Sequence, residues 1–79
     1  MKTYNIYLDI STDDKERVAK YLDGLRGEYR VAVRQYPSMP SESFIVIETE
    51  YVLNSSPQVK LWYEIQARKF LASQPPTGN

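Results

Sequence analysis

Glu48 and Glu50 are the residues whose spacing best suits chemistry. Two apart on an extended strand, they share a face, and paired carboxylates can hold a divalent metal or divide acid–base work. The rest of such a site is missing from the composition. The chain has no histidine and no cysteine. That removes the commonest general base, the commonest metal ligand, the thiol nucleophile and the thiolate zinc site. A simpler role fits the same spacing. With the preceding strand folded back, Arg30 falls opposite Glu50 and Ala32 opposite Glu48, so Arg30 pairs with the acids across strands. Asp13 and Asp14 likewise read as helix-start acids. The serines Ser38, Ser41, Ser43, Ser55 and Ser56 have no activating base at any motif spacing. Gly24, Gly27 and Gly78 match neither a phosphate-binding loop nor a dinucleotide fingerprint. The expectation is a non-enzyme with no catalytic residue, no metal and no cofactor.

The elements that position these residues are organised around Ser43 to Tyr51, SFIVIETEY. This run is apolar at both parities and rich in β-branched residues, which suits a central strand. Before it, Thr3 to Ile10 alternates: Tyr4, Ile6, Leu8 and Ile10 lie on one face, Thr3, Asn5, Tyr7 and Asp9 on the other. Asp13 with Glu16 has the spacing of a capping box, and Val18, Tyr21, Leu22 and Leu25 recur at helical period. A helix is expected from about Asp13 to Leu25, with Gly27 as a left-handed stop. Glu28 to Tyr36 alternates again, with Tyr29, Val31 and Val33 on the apolar side. Pro37 to Ser43 reads as a loop longer than a tight hairpin turn. Asn54-Ser55-Ser56-Pro57 opens a second helix running to about Ala72, with Ser at the cap and Pro in the first turn.

The order strand, helix, strand, strand, helix implies an α+β fold. A strand–helix–strand crossover leaves its two strands parallel, and a third strand inserted between them runs antiparallel to both. The expected sheet is three-stranded, ordered first, third, second, with two helices on one face: a truncated ferredoxin-like arrangement. Residues 1–73 form one domain in this reading, and 74–79 a flexible polar tail. Seventy-nine residues support only a small core. Ten basic and ten acidic side chains cancel, which argues against a general polyanion binder. Met1-Lys2 passes straight into strand alternation, and no segment nears the ~20 apolar residues of a membrane span. A cytoplasmic protein without membrane contact is expected.

Seven tyrosines, two phenylalanines and one tryptophan are a heavy aromatic load for this length. Two surfaces compete for a function. The second helix is apolar round most of its circumference: Val59, Tyr63 and Phe70 form one stripe, Leu61, Ile65 and Ala72 another, with Trp62 between them. Only the sector of Lys60, Glu64 and Arg68 is polar. A helix on a one-layer sheet needs a single apolar stripe. The surplus points to a docking surface made of Leu61, Trp62, Tyr63, Ile65 and Phe70, for a protein partner or a second copy. The function expected on this ground is a small regulator or inhibitor that occludes its partner, with a homodimer possible. The alternative is the uncovered sheet face, where Tyr7, Tyr36 and Phe44 alternate with Arg30 and Arg34. Exposed aromatics interleaved with arginines can stack single-stranded nucleic acid. Glu48 and Glu50 on the same face oppose that reading.

Overall fold

The computed structural model describes residues 2–50 and 56–74. Strand β1 (Tyr4–Tyr7) is followed by helix α1 (Lys15–Asp23), strands β2 (Arg30–Tyr36) and β3 (Met39–Thr49), and helix α2 (Ser56–Ser73). The sheet order is β1-β3-β2, with β3 antiparallel to both neighbours. The α+β architecture and the central position of the third strand are those expected. The arrangement is compatible with a ferredoxin-like unit lacking its last strand. Alternation decides which face is covered: Leu8, Val31, Ile45 and Ile47 join Val18, Leu22, Val59, Tyr63 and Ala67 in one core, so both helices lie on that face.

Several boundaries differ from the sequence expectation. The stretch after Pro37 is a tight connection, because Tyr36 already pairs with Met39 and a register irregularity lies between Gln35 and Tyr36. Pro40 is tolerated inside β3 because β1 pairs only with Val46 to Thr49, leaving the proline region without a neighbour on that side. Helix α1 is shorter at both ends. Its N-cap is Asp14, which makes no side-chain cap bond; instead the Asp14 N–H donates to Thr12 Oγ1 at 3.1 Å, and its carboxylate pairs with Arg17 at 2.8 Å. The capping box from Asp13 therefore does not form. At the other end Gly24 is the cap, in right-handed geometry (φ −86°, ψ −4°), and Gly27 is not left-handed. The last turn closes through i→i+3 bonds, Gly24 N–H to Tyr21 O and Leu25 N–H to Leu22 O, so a left-handed stop is not needed. Gln74, placed in the flexible tail by the sequence, accepts a hydrogen bond from Arg17. Tyr51, the capping residues Asn54 and Ser55, and residues 75–79 of the expected tail lie outside the described residues.

A helix carboxylate holds each outer strand at one point. Asp23, the last residue of α1, accepts the Val31 N–H of β2 at 2.8 Å. Glu64 of α2 accepts the Asp9 N–H at 2.7 Å just past β1. Each bond satisfies a backbone donor that has no neighbouring strand to take it.

Candidate functional site

Helix α2 resolves its two apolar stripes by burying one. Val59, Tyr63 and Ala67, four residues apart, face the core, with Phe70 and Leu71 packed beside them. Tyr63 is 0% exposed. Its ring meets Tyr29 edge-on at 6.2 Å and Trp62 edge-on at 5.0 Å. Phe70 stacks on Tyr21 at 4.5 Å with the rings 19° apart, under the Arg17 guanidinium at 5.8 Å. Of the five residues expected at a partner surface, Tyr63 is core and Phe70 is largely spent on α1. Packing claims both because they continue the Val59 stripe.

Leu61, Trp62 and Ile65 remain outside, at 53%, 37% and 39% exposure. Leu61 and Ile65 stand one turn apart on the side opposite Tyr63, and the exposed Ala72 continues their row. Trp62 sits at the shoulder, fixed by Tyr63 below and by the Arg26 guanidinium 5.7 Å from its ring. Arg26 also lies 5.1 Å from the Tyr29 ring and pairs with Glu28 at 2.7 Å. A tryptophan held this way loses little side-chain freedom on docking. Arg68 and Lys69 are exposed beside the row.

The polar sector is not the solvent face the sequence suggests. Glu64 is buried and accepts from the Asp9 N–H and from Lys60. Lys60 also donates to Asp9 Oδ2 at 2.7 Å. The Lys60 hydrogen bond and charge hold the Asp9 carboxyl below its ordinary value, and the bonds to Asp9 and Glu64 push the Lys60 ammonium up. Glu64 turns inward because the strand end needs an acceptor. The only sequence signal for this was its place directly after Tyr63, on the flank of the buried stripe.

The open sheet face gathers four of its five expected residues. Tyr7 and Tyr36 lie 5.3 Å apart, Tyr36 and Phe44 4.3 Å, and Tyr7 and Phe44 6.4 Å, all tilted or edge-on. Beneath this face Val46 is 1% exposed, so the aromatic group acts as a second small core. Arg34 joins the face through a two-pronged pair with Glu48, Nε to Oε2 and Nη2 to Oε1, both at 3.1 Å. Arg30 is separate. It lies opposite Glu48, not Glu50, so the register is two residues from that expected, and the ion pair is Arg34–Glu48. Arg34 reaches Glu48 along the strands past Ala32, whose small side chain leaves room. A shallow cavity of ≈ 200 Å³ borders Tyr7, Arg34, Tyr36 and Glu48. A wider one of ≈ 520 Å³ borders Asp23, Glu28, Arg30, Glu48 and Glu50. Three of those four acids are directed elsewhere: Asp23 to Val31, Glu28 to Arg26 and Glu48 to Arg34. Among the described residues no three His, Cys, Asp or Glu side chains form a metal-holding group, and no helix is long and apolar enough to cross a membrane.

No protein-family model matches the chain, and neither a curated protein nor a solved structure is found to match it.

Proposed function

We propose that this chain is a small, non-enzymatic protein–protein interaction module of the cytoplasm, which docks through the outer face of α2 and regulates or inhibits its partner by occluding it. The observation that carries this reading is the exposure of Leu61, Trp62 and Ile65 together on a helix whose other stripe already fills the core. An apolar centre with a polar rim is the usual anatomy of a docking patch, and a pre-fixed tryptophan is a favoured anchor. Arg68 and Lys69 make the rim basic and favour a partner with acidic groups around an apolar centre. The test compares immobilised wild-type chain with Leu61→Ala/Ile65→Ala in extract from its native cell. A protein retained by the wild type in moderate salt and lost by the variant supports the reading. Identical retention by both removes α2 as the docking face.

The three clustered aromatics beside Arg34 support a second reading, single-stranded nucleic-acid binding on the open sheet face. Two features weigh against it. The rings are packed on one another, and the Arg34 guanidinium is engaged by Glu48.

A further inference from the structure

The two edges of the sheet differ in how they are guarded. The Leu8 N–H donates to Ile45 O at 2.9 Å, and with the β1–β3 register this makes Tyr4, Ile6 and Leu8 the residues whose backbone faces β3. Asn5 and Tyr7 therefore turn their N–H and C=O groups outward. Among the described residues nothing receives them. Edge strands invite pairing unless charge, proline, a bulge or a covering group discourages it. Strand β2 has three such devices: Arg30 and Arg34, the irregular register at Gln35 and Tyr36, and Asp23 on the Val31 N–H. Within Tyr4–Tyr7, β1 has no charge, no proline and no bulge. Among the described residues its one guard is Glu64, at Asp9, beyond the strand's end.

We propose that the outer edge of β1 is a strand-pairing site whose occupant is a second copy of this chain, joined antiparallel about a two-fold axis at Ile6 to give a continuous six-stranded sheet. The edge is self-complementary in both apolar pattern and charge. On the helix-covered face the axis sets Ile6 against Ile6 and Tyr4 against Leu8, which covers the exposed Tyr4 and the half-buried Ile6. In the backbone it sets Asn5 of each copy against Tyr7 of the other, an exchange of about four hydrogen bonds. At the ends, Lys2 lies outside all the ion pairs of the described residues. Asp9, Glu64 and Lys60, two carboxylates and one ammonium, carry a net charge of −1 at the opposite end. Antiparallel pairing sets each Lys2 opposite Ile10 of the other copy, at the strand end where Lys60 and Glu64 of α2 meet Asp9. An extended peptide of arbitrary sequence would not repeat that match at both ends. The pairing closes, because the edges left free are the two guarded β2 strands, so association stops at the dimer. The contact is smaller than the ~800 Å² per partner of a standard interface, so a weak, concentration-dependent association is expected.

Asn5→Pro is the decisive variant. Its ring deletes an N–H that points away from β3, so the internal ladder keeps its bonds while the edge is blocked. Sedimentation equilibrium of the full chain, from about 1 to about 500 µM, reads the result by mass action. The expected outcome is a monomer–dimer equilibrium for the wild type, monomer throughout for Asn5→Pro, and unchanged dimerisation for Leu61→Ala/Ile65→Ala. The last variant separates this site from the α2 docking face, whose failure or success leaves the dimer unaffected. Lys2→Glu should raise the dissociation constant several-fold, with a smaller effect in high salt. A wild type that stays monomeric overturns the proposal. So does dimerisation of Asn5→Pro at wild-type strength, loss of the dimer only in the α2 variant, or growth beyond the dimer. Amide hydrogen exchange on the wild type gives an answer independent of how any variant folds. The Asn5 and Tyr7 amides should gain protection as concentration rises, and exchange independent of concentration overturns the edge assignment.

Discussion

The Tyr63 phenol is enclosed by Tyr29 and Trp62, and its Oη has no hydrogen-bond partner among the described residues. Burial pushes its pKa up to about 12. The ring contributes apolar area to the core, while the hydroxyl gives up water without a replacement. An unsatisfied buried polar group costs on the order of 1–3 kcal/mol. Tyr63→Phe keeps the ring and removes the unsatisfied atom, so it should stabilise the fold by about 1 kcal/mol. In a domain of this size that raises the melting temperature by about 4–8 °C. The pH profile carries the same signature. The folded state favours the neutral phenol, so its stabilisation is complete below the unfolded value near 10 and is lost as pH rises toward about 12. Lys60, whose pKa is also raised, loses its contribution in the same direction. Tyr63→Phe should therefore flatten the alkaline limb without abolishing it. Thermal melts between pH 8 and pH 12 check both points, and a variant less stable than wild type at pH 8 would contradict the assignment. Asp9 works at the other end of the scale: its lowered pKa means that its ion pair with Lys60 fails only in acid, as pH falls through the folded value.

Among the elements, the β2–β3 hairpin carries a polar and an apolar device side by side, and their weights differ. The Arg34–Glu48 pair has an exposed guanidinium, and such pairs contribute about 0–1 kcal/mol. Phe44, packed between Tyr36 and Tyr7 over Val46, contributes through burial. Phe44→Ala should cost about 2–4 kcal/mol and Arg34→Ala less than about 1 kcal/mol, with Arg30→Ala near zero. Urea unfolding of the three variants orders them, and an Arg34→Ala loss equal to that of Phe44→Ala would mean that the ion pair, not the aromatic group, holds this face. The strand pattern was legible because period-two alternation states which face is buried: Leu8, Val31, Ile45 and Ile47 reached the core as read. Register was not legible, because a shift of two residues preserves every face and changes only partners. Alternation alone therefore allows Arg30 opposite Glu50, whereas the chain pairs it with Glu48 and gives the ion pair to Arg34. In α2 the two stripes were visible but not the choice between them. Glu64, beside the buried Tyr63, accepts the Asp9 N–H, and no local pattern announces a demand made by a strand end more than fifty residues away.

Taken whole, the molecule is neutral and has two contrasting surfaces, an apolar row with a basic rim on α2 and a packed aromatic group with a neutralised arginine on the sheet. The two surfaces predict opposite responses to salt. Nucleic-acid affinity rests on phosphate contacts, and each cation that releases counterions steepens the fall of binding with salt. Here Arg34 would have to leave Glu48 before meeting a phosphate, and the acid left behind would repel the strand. Stacking is worth about 1–3 kcal/mol per base only when a base can lie flat on a ring. Tyr7, Tyr36 and Phe44 instead present edges and tilted faces to one another. The expected outcome is that labelled single-stranded DNA or RNA shows no anisotropy change at ~100 µM protein in physiological salt, above the range of useful single-strand binding. Docking through Leu61, Trp62 and Ile65 should by contrast persist as salt rises, because it removes apolar area from water. Micromolar nucleic-acid binding would overturn that choice, but Phe44→Ala alone could not be its proof, since that variant also loosens the hairpin. Tyr7→Phe and Glu48→Gln supply the missing control. The first keeps the ring. The second removes the acid while keeping its shape, and should strengthen binding if Arg34 is freed for phosphate. If Glu48→Gln leaves binding absent, the sheet face is no nucleic-acid platform, and its aromatic group stands as a second small core.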